Sequence, residues 1–171
     1  DRIYALVGGV GLSNDGRGKH VLSPNSKGQV TALRRAYARY GINADEVDYI
    51  ECHASGTSVG DRTELNSMAQ FFNGNRKPLI GSVKSNVGHL LTAAGMASMI
   101  KLILSMAHQT IPATINNQQP LRSQDGAYNG TQIVTVNTAW PPHAEHPRRA
   151  GVNAFGFGGV SAHVILEANE Q

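Results

Sequence analysis

The 171-residue sequence predicts an α/β fold, on three observations. Strand-like runs alternate with helical periods through the first half of the chain. A long helix from about residue 90 is apolar nearly all round, and two strand-like runs close the chain through a glycine-rich turn. Alternation argues for a sheet flanked by helices, and the closing pair adds an antiparallel element to it. The predicted order is βαβαβαββ.

Residues 3–10 read as the first strand and 11–24 as a polar loop rich in Gly, Asn and Asp. Ser26 and Gln29 have capping-box spacing, and Val30, Leu33, Tyr37 and Tyr40 recur at helical period until Gly41. That pattern describes an amphipathic surface helix. Residues 47–52 form a short strand. Asp61 and Glu64 repeat the capping-box spacing at the start of a helix whose Leu65, Met68, Ala69 and Phe72 share one face up to Gly74. Residues 79–84 are the third strand, and the helix over 90–108, full of Ala, Gly and Ser, is expected in the protein centre, packed closely on its neighbours. Residues 112–131 are an excursion rich in Pro, Asn and Gln, 132–136 read as a short strand and 141–147 as a loop. Residues 149–155 and 162–167 are the closing strands, joined through Gly156 to Gly159.

Composition narrows the function classes. With 40% hydrophobic residues the chain can bury one core. The net charge of +3 is spread along the chain with 6% aromatics, and Arg34-Arg35 and Arg148-Arg149 are isolated pairs, which argues against nucleic acid. One cysteine excludes an internal disulfide framework and a multi-cysteine metal site, and fits a reducing cytoplasm. The apolar helix is interrupted by Thr92, Ser98 and Lys101, so it does not read as a membrane span, and no signal peptide is visible. Asp1-Arg2 leads at once into the strand-like Ile3-Tyr-Ala-Leu-Val7, as in a chain that begins in mid-fold. A fragment of a larger domain is expected.

The chemistry-bearing residues lie at strand ends. His53 ends a strand and precedes the small-residue turn Ala-Ser-Gly-Thr57, where a histidine taken alone is more often structural than chemical. His89 stands where the apolar helix begins, and the helix dipole there disfavours imidazolium, leaving a neutral ring with one N–H to donate. Lys84 lies in an apolar strand, where an unpaired ammonium is costly, so a carboxylate partner is required and Glu64 is the expected one. Two histidines and a lysine at adjacent strand ends are hard to explain by packing alone. Cys52 alternates with His53 and so faces away from any pocket that His53 faces. His163 reads as a hydrogen-bonded core residue. The histidine spacings offer no metal site. Gly81-Ser-Val-Lys84-Ser85 fails as a phosphate loop, because Val83 and Pro78 stand where glycines are needed. The turn Phe155-Gly-Phe-Gly-Gly159 either closes a hairpin or aims a backbone N–H at a developing oxyanion.

Together these segments resemble the C-terminal half of a β-ketoacyl synthase, the condensing enzyme of fatty acid and polyketide assembly, across essentially the whole chain. Glu51-Cys-His53-Ala-Ser-Gly-Thr57 with Gly60-Asp-Arg-Thr-Glu64 is similar to the family's Glu-Ala-His-Gly-Thr-Gly-Thr, Gly-Asp-Pro and Glu. Ser82-Val-Lys84 through Gly88-His89 is similar to its Lys and Gly-His motif, and Phe155 through Glu167 to its Phe-Gly-Phe-Gly-Gly tail. The tail is most like type I polyketide and polyunsaturated fatty acid synthases.

The resemblance implies a thiolase-like layered fold, αβαβα in the complete domain, with residues 1–171 as its C-terminal half and a buried central helix. The nucleophilic cysteine would belong to the N-terminal half. By resemblance His53 and His89 stabilise the enolate formed on decarboxylation of a malonyl-thioester, worth ~3 kcal/mol per donor. Lys84 and Glu64 complete the catalytic set, the backbone N–H of Phe157 is half of an oxyanion hole, and Gly156, Gly158 and Gly159 form its structural turn. Ser55 and Thr57 contact the phosphopantetheine arm of an acyl carrier protein. No tightly bound cofactor or metal is implied. The partners implied are the N-terminal half, the carrier protein and a homo- or heterodimer mate, with neither nucleic acid nor membrane. Ala54 and Ser55 replace the family's usual Gly and Thr, Arg62 its Pro and Ser161 its Asn. The expected activity is that of a 3-oxoacyl-carrier synthase. Its rivals are a non-catalytic chain-length-factor partner and an acyl-binding thiolase-like domain.

Overall fold

A computed structural model describes residues 1–16, 20, 23–74 and 76–170. They form a five-stranded sheet in the order β1-β7-β6-β2-β3, built from β1 (Ala5–Asn14), β2 (Tyr49–Glu51), β3 (Leu79–Gly81), β6 (Arg149–Phe155) and β7 (Val160–Ala168). β6, β2 and β3 run parallel, whereas β7 is antiparallel to both β6 and β1. The sheet is therefore mixed, as the closing strand pair predicts.

β1 runs past the predicted boundary, through Gly11 to Asn14, because β7 pairs with it along its whole length. Its glycines answer to packing. A Cβ on Gly11 would sit 2.0 Å from the Ala32 carbonyl oxygen, so glycine lets the helix α1 (Ser26–Tyr40) lie directly on the strand. Asn25, not Ser26, caps α1, accepting the Lys27 N–H, and Gly41 closes it in the left-handed region at φ 66°. The helix α2 (Ser58–Phe71) starts earlier than the Asp61 spacing suggests, with Thr57 as its cap. Asp61 therefore sits in its first turn and Glu64 in its interior.

β3 ends at Gly81, and Lys84 opens a single helical turn, α3 (Lys84–Val87), instead of lying in the strand. Glu51 causes the break by accepting the Val83 N–H, which draws that backbone out of the ladder. A 3-10 turn over Leu91–Ala93 then leads into α4 (Ala94–Ala107). The predicted strand over 132–136 reduces to a single bridge between Ile133 and Ile80, because Asn129 and Gln132 cap a 3-10 turn just before it. Two short strands absent from the sequence reading, β4 (Thr110–Ile111) and β5 (Thr138–Ala139), pair with each other.

The core lies on both faces of the sheet. Leu33, Tyr37, Ile50, Met68, Phe72 and Ile165 join α1 and α2 to one face, and Tyr49, Leu102, Met106, Trp140 and Leu166 join α4 to the other. Adjacent Tyr49 and Ile50 serve opposite layers, as the period of two requires. The prediction of a helix buried all round holds for one face of α4 only. Ala94, Ser98, Lys101, Leu102 and Ser105 are buried, while Met96, Ile100 and Leu104 are more than half exposed. No helix among the described residues is long and apolar enough to cross a membrane.

Candidate active site

The site grows from the end of β2. Cys52 turns into the core, its sulfur 3.8 Å from that of Met68, and burial pushes its thiol well up. His53 turns the other way, as strand alternation predicts. Its ring lies edge-on to His89 at 5.4 Å between centroids and 5.8 Å from the ring of Phe155. Burial first, then neighbouring Lys84 and His89, pulls the His53 imidazole down to about 4, so the ring is neutral near pH 7. His89 stands in a different local setting from the one expected. It precedes the 3-10 turn rather than α4 itself, and its Nδ1 accepts the Leu91 N–H at 3.1 Å. That contact assigns Nδ1 as the bare nitrogen and leaves Nε2–H free to donate.

Glu64 does not pair with Lys84. Its carboxylate is buried and saturated by other donors: the N–H of His53 at 2.7 Å, the N–H of Ala54 at 2.8 Å and the Asn153 amide at 2.8 Å. Burial raises the Glu64 carboxyl, and those three donors pull against it. Among the described residues no carboxylate comes within 4.0 Å of Lys84. Its ammonium is half-buried, lowered by desolvation and supported at longer range by Glu64 and Glu51. The ion pair of this region is Glu51 with Lys101 of α4, at 2.6 Å and nearly fully buried, joined by the Tyr49 hydroxyl. Glu51 also accepts the Val83 N–H, so this pair fixes the α3 turn that presents Lys84. A Cβ on Gly81 would meet the Thr114 and Tyr49 hydroxyls at 2.3 and 2.4 Å, which accounts for glycine there.

Across from the histidines the turn between β6 and β7 carries Phe157 at its tip, 81% exposed, with Gly158 and Gly159 at positive φ and the Gly156 N–H bonded to the Val160 carbonyl. His53, His89, Ser55, Thr57, Glu64 and Phe157 border one cavity of about 680 Å³. Lys84 borders a second, of about 670 Å³, whose lining shares Ala54, Glu64 and His89 with the first. Thr57 has a structural duty as well, its oxygen capping α2 by accepting the Gly60 N–H, and it lies 3.2 Å from the Ser55 hydroxyl. Ala54 holds φ at 31°, in the left-handed region that favours glycine. No group of three His, Cys, Asp or Glu among the described residues is arranged to hold a metal.

Sequence reasoning missed three polar residues behind this site, Glu51, Lys101 and Asn153, and the partner that the buried His163 holds. Lys101 was visible as a charge on an otherwise apolar helix, which signals a buried partner. Asn153 was visible as an amide in a buried strand, and such groups are hydrogen-bonded. Neither signal names the partner, because the partners are 50 and 89 residues away in the chain.

The chain matches two family models. "Beta-ketoacyl synthase, C-terminal domain" covers residues 4–118 and "Ketoacyl-synthetase C-terminal extension" covers residues 127–171. Similar proteins include a polyunsaturated fatty acid synthase of Thraustochytrium sp., 41% identical over 99% of this chain and 6% of that protein. A phenolphthiocerol/phthiocerol polyketide synthase of Mycobacterium tuberculosis is 38% identical over 100% of the chain and 9% of that protein. Among solved structures, the PfaC keto synthase-chain length factor superposes with a TM-score of 0.93 at 55% identity, covering 98% of this chain and 18% of that one. A ketosynthase from module 6 of the bacillaene synthase of Bacillus subtilis 168 gives 0.88 at 32% identity, covering 100% and 31%. The chain thus spans a small part of the relatives' length and about a third of a ketosynthase, and the layered fold is thiolase-like. On these motifs, this geometry and these matches, the chain belongs to the β-ketoacyl synthase C-terminal domain family.

Proposed function

We propose that this chain supplies the decarboxylating residues, and half of the acyl-transfer oxyanion hole, of a ketosynthase that joins an acyl-thioester to malonyl-carrier protein. The observation that carries the reading is the meeting of two ring donors at one cavity: neutral His53 and His89 with Nε2–H to donate, their ring centroids 5.4 Å apart. When the malonyl carboxylate leaves as carbon dioxide, the electron pair of the broken C–C bond passes into the thioester carbonyl as an enolate. Both imidazoles donate hydrogen bonds to that oxygen. The enolate carbon then attacks an acyl chain held as a thioester on a cysteine of the remaining half of the domain, and the cysteine thiolate leaves. Negative charge on the attacked carbonyl meets the Phe157 N–H, and Ser55 and Thr57 hold the phosphopantetheine arm on the way in. Lys84 keeps a positive potential over the site while Glu64 holds the His53 turn. The carrier protein and a dimer mate are the partners this chemistry implies, and the cytoplasm its compartment.

A second reading is favoured by one finding. The similar PfaC chain combines a keto synthase with a chain length factor, which supports a role for this segment in a non-catalytic partner of that type. Whether the complete protein has a cysteine that becomes acylated separates the two.

The main test uses the complete synthase and two assays, radiolabel carried to the cysteine and carbon dioxide released from malonyl-carrier. His53→Ala or His89→Ala should slow decarboxylation by ~10²-fold or more while the cysteine is still acylated, because acylation relies on backbone donors. Loss of acylation with decarboxylation intact would reverse the assigned roles.

A further inference from the structure

Asn153 is 1% exposed in the middle of β6, and both ends of its amide are engaged. Nδ2 donates to Glu64 Oε1 at 2.8 Å, and Oδ1 lies 2.7 Å from Nδ1 of His163 on β7. A carboxylate only accepts, so the nitrogen end of the amide must face Glu64. The oxygen end then faces His163 and requires that ring to carry its proton on Nδ1. Glu64 passes the restraint on by accepting the N–H groups of His53 and Ala54. Donors thus converge on the Glu64 carboxylate, from Asn153, backed by His163, on the side of the sheet interior and from two backbone N–H groups on the side of the turn that carries His53, and that turn contains Ala54 at a φ an alanine disfavours.

We propose that Asn153, backed by His163, is a positioning residue for decarboxylation: it holds the Glu64 carboxylate against the His53 and Ala54 amides and so sets where the His53 ring stands. The inference rests on the condensing-site reading above and adds a residue to it. Among the described residues Asn153 is the one side chain that donates to Glu64 through N–H. The other charged or titratable groups facing Glu64 are Asp61 on its own helix, Cys52 and His53 at the end of β2, and Lys84 on α3, with His163 behind Asn153. Burial already raises Glu64 and the three donors restrain it. With the amide removed the carboxyl takes up a proton at higher pH and loses its grip on the two N–H groups.

The experiment uses the complete ketosynthase with Asn153→Leu and Asn153→Asp, each checked for a cooperative melt. It reads carbon dioxide release from malonyl-carrier across pH, cysteine acylation, and amide hydrogen exchange of the segment containing His53 and Ala54. Asn153→Leu should lower kcat for decarboxylation roughly 10- to 100-fold with little change in KM and move the acid limb to higher pH. Exchange at His53 and Ala54 should be faster and acylation unchanged. Asn153→Asp should behave oppositely with pH. Its carboxyl can donate to Glu64 only while protonated, so activity falls as pH rises and the second negative charge appears. Should the leucine variant fail to fold, the isosteric aspartate carries the test. A folded variant with wild-type exchange and a wild-type pH profile overturns the proposal. His53→Ala run in parallel distinguishes the two levels. If it decarboxylates normally, the reading of the site fails, while faster exchange in the Asn153 variants still establishes the restraint on the turn.

Discussion

At the scale of single residues the site shows how burial and one hydrogen bond set protonation. His53 is a base whose folded-state value is drawn down from 6.5 to about 4. Its neutral form therefore persists to lower pH than an ordinary histidine's and is lost only as pH falls through about 4. For the decarboxylation proposed above, measured in the complete protein, the rate between pH 5 and 6.5 should show no loss from His53 titration. A limb near 6.5 that disappears in His53→Ala would show that the ring is not desolvated as described. Lys84 makes a contrasting case. Because no carboxylate lies within 4.0 Å of it among the described residues, Lys84→Ala should cost under ~1 kcal/mol in denaturant unfolding, the range of a loose, unpaired charge. A cost several times larger would restore a direct partner.

Elements are locked together by groups that the local sequence does not pair. Lys101 of α4, Glu51 of β2 and the backbone of Val83 before α3 meet in one buried cluster. Removing one charge leaves the other buried alone, so Lys101→Met should destabilise the complete domain by ~3–5 kcal/mol. Lys101→Met with Glu51→Gln should cost clearly less than the two single changes summed, and a double-mutant cycle on unfolding free energies measures the difference. Additive costs would mean that the pair is not coupled. Gly81 joins the same elements by absence of bulk. Gly81→Ala puts a Cβ 2.3 Å from the Thr114 hydroxyl and 2.4 Å from that of Tyr49, and should cost ~1–3 kcal/mol as overpacking.

For the whole molecule the buried His163 couples folding to pH. Desolvation pulls it to about 3 in the fold, against 6.5 for the free side chain. Between those values the unfolded chain binds the extra proton, so stability is full above about 6.5 and declines as pH falls toward 3, by up to ~1.4 kcal/mol per pH unit from this group. His53 acts in the same direction over a narrower range. Unfolding free energies from pH 4 to 7 should show a shallower slope in His163→Gln than in the wild type. An equal slope would remove His163 from the acid response. The apolar face of α4 bears on the molecule as a whole too. With Met96, Ile100 and Leu104 more than half exposed, the 171-residue chain alone should self-associate at micromolar concentration, and co-expression with the remaining half of the domain proposed above should suppress it. Monodisperse behaviour of the chain alone in sedimentation would argue that nothing needs to cover that face.

The sequence by itself determined the fold class, the order of the main elements and the identity of the side chains at the strand ends. Hydrophobic period, caps and glycine punctuation are local properties that neighbouring residues settle among themselves. The opposite facing of Cys52 and His53 followed from the period of two, and the glycine turn at 156–159 from its composition. Long-range pairing lies beyond such rules. The extension of β1 to Asn14 depended on β7, and the capture of Val83 that ends β3 early depended on Glu51. Charge logic required a carboxylate for Lys84 and assigned it Glu64, whereas among the described residues no carboxylate lies within 4.0 Å of Lys84. The fold instead gave Glu64 two backbone amides and Asn153, and paired Glu51 with Lys101. Only the tertiary structure decides such partners, because a buried charge is satisfied by whichever donor the folded chain brings within about 3 Å, and sequence separation carries no information about that distance.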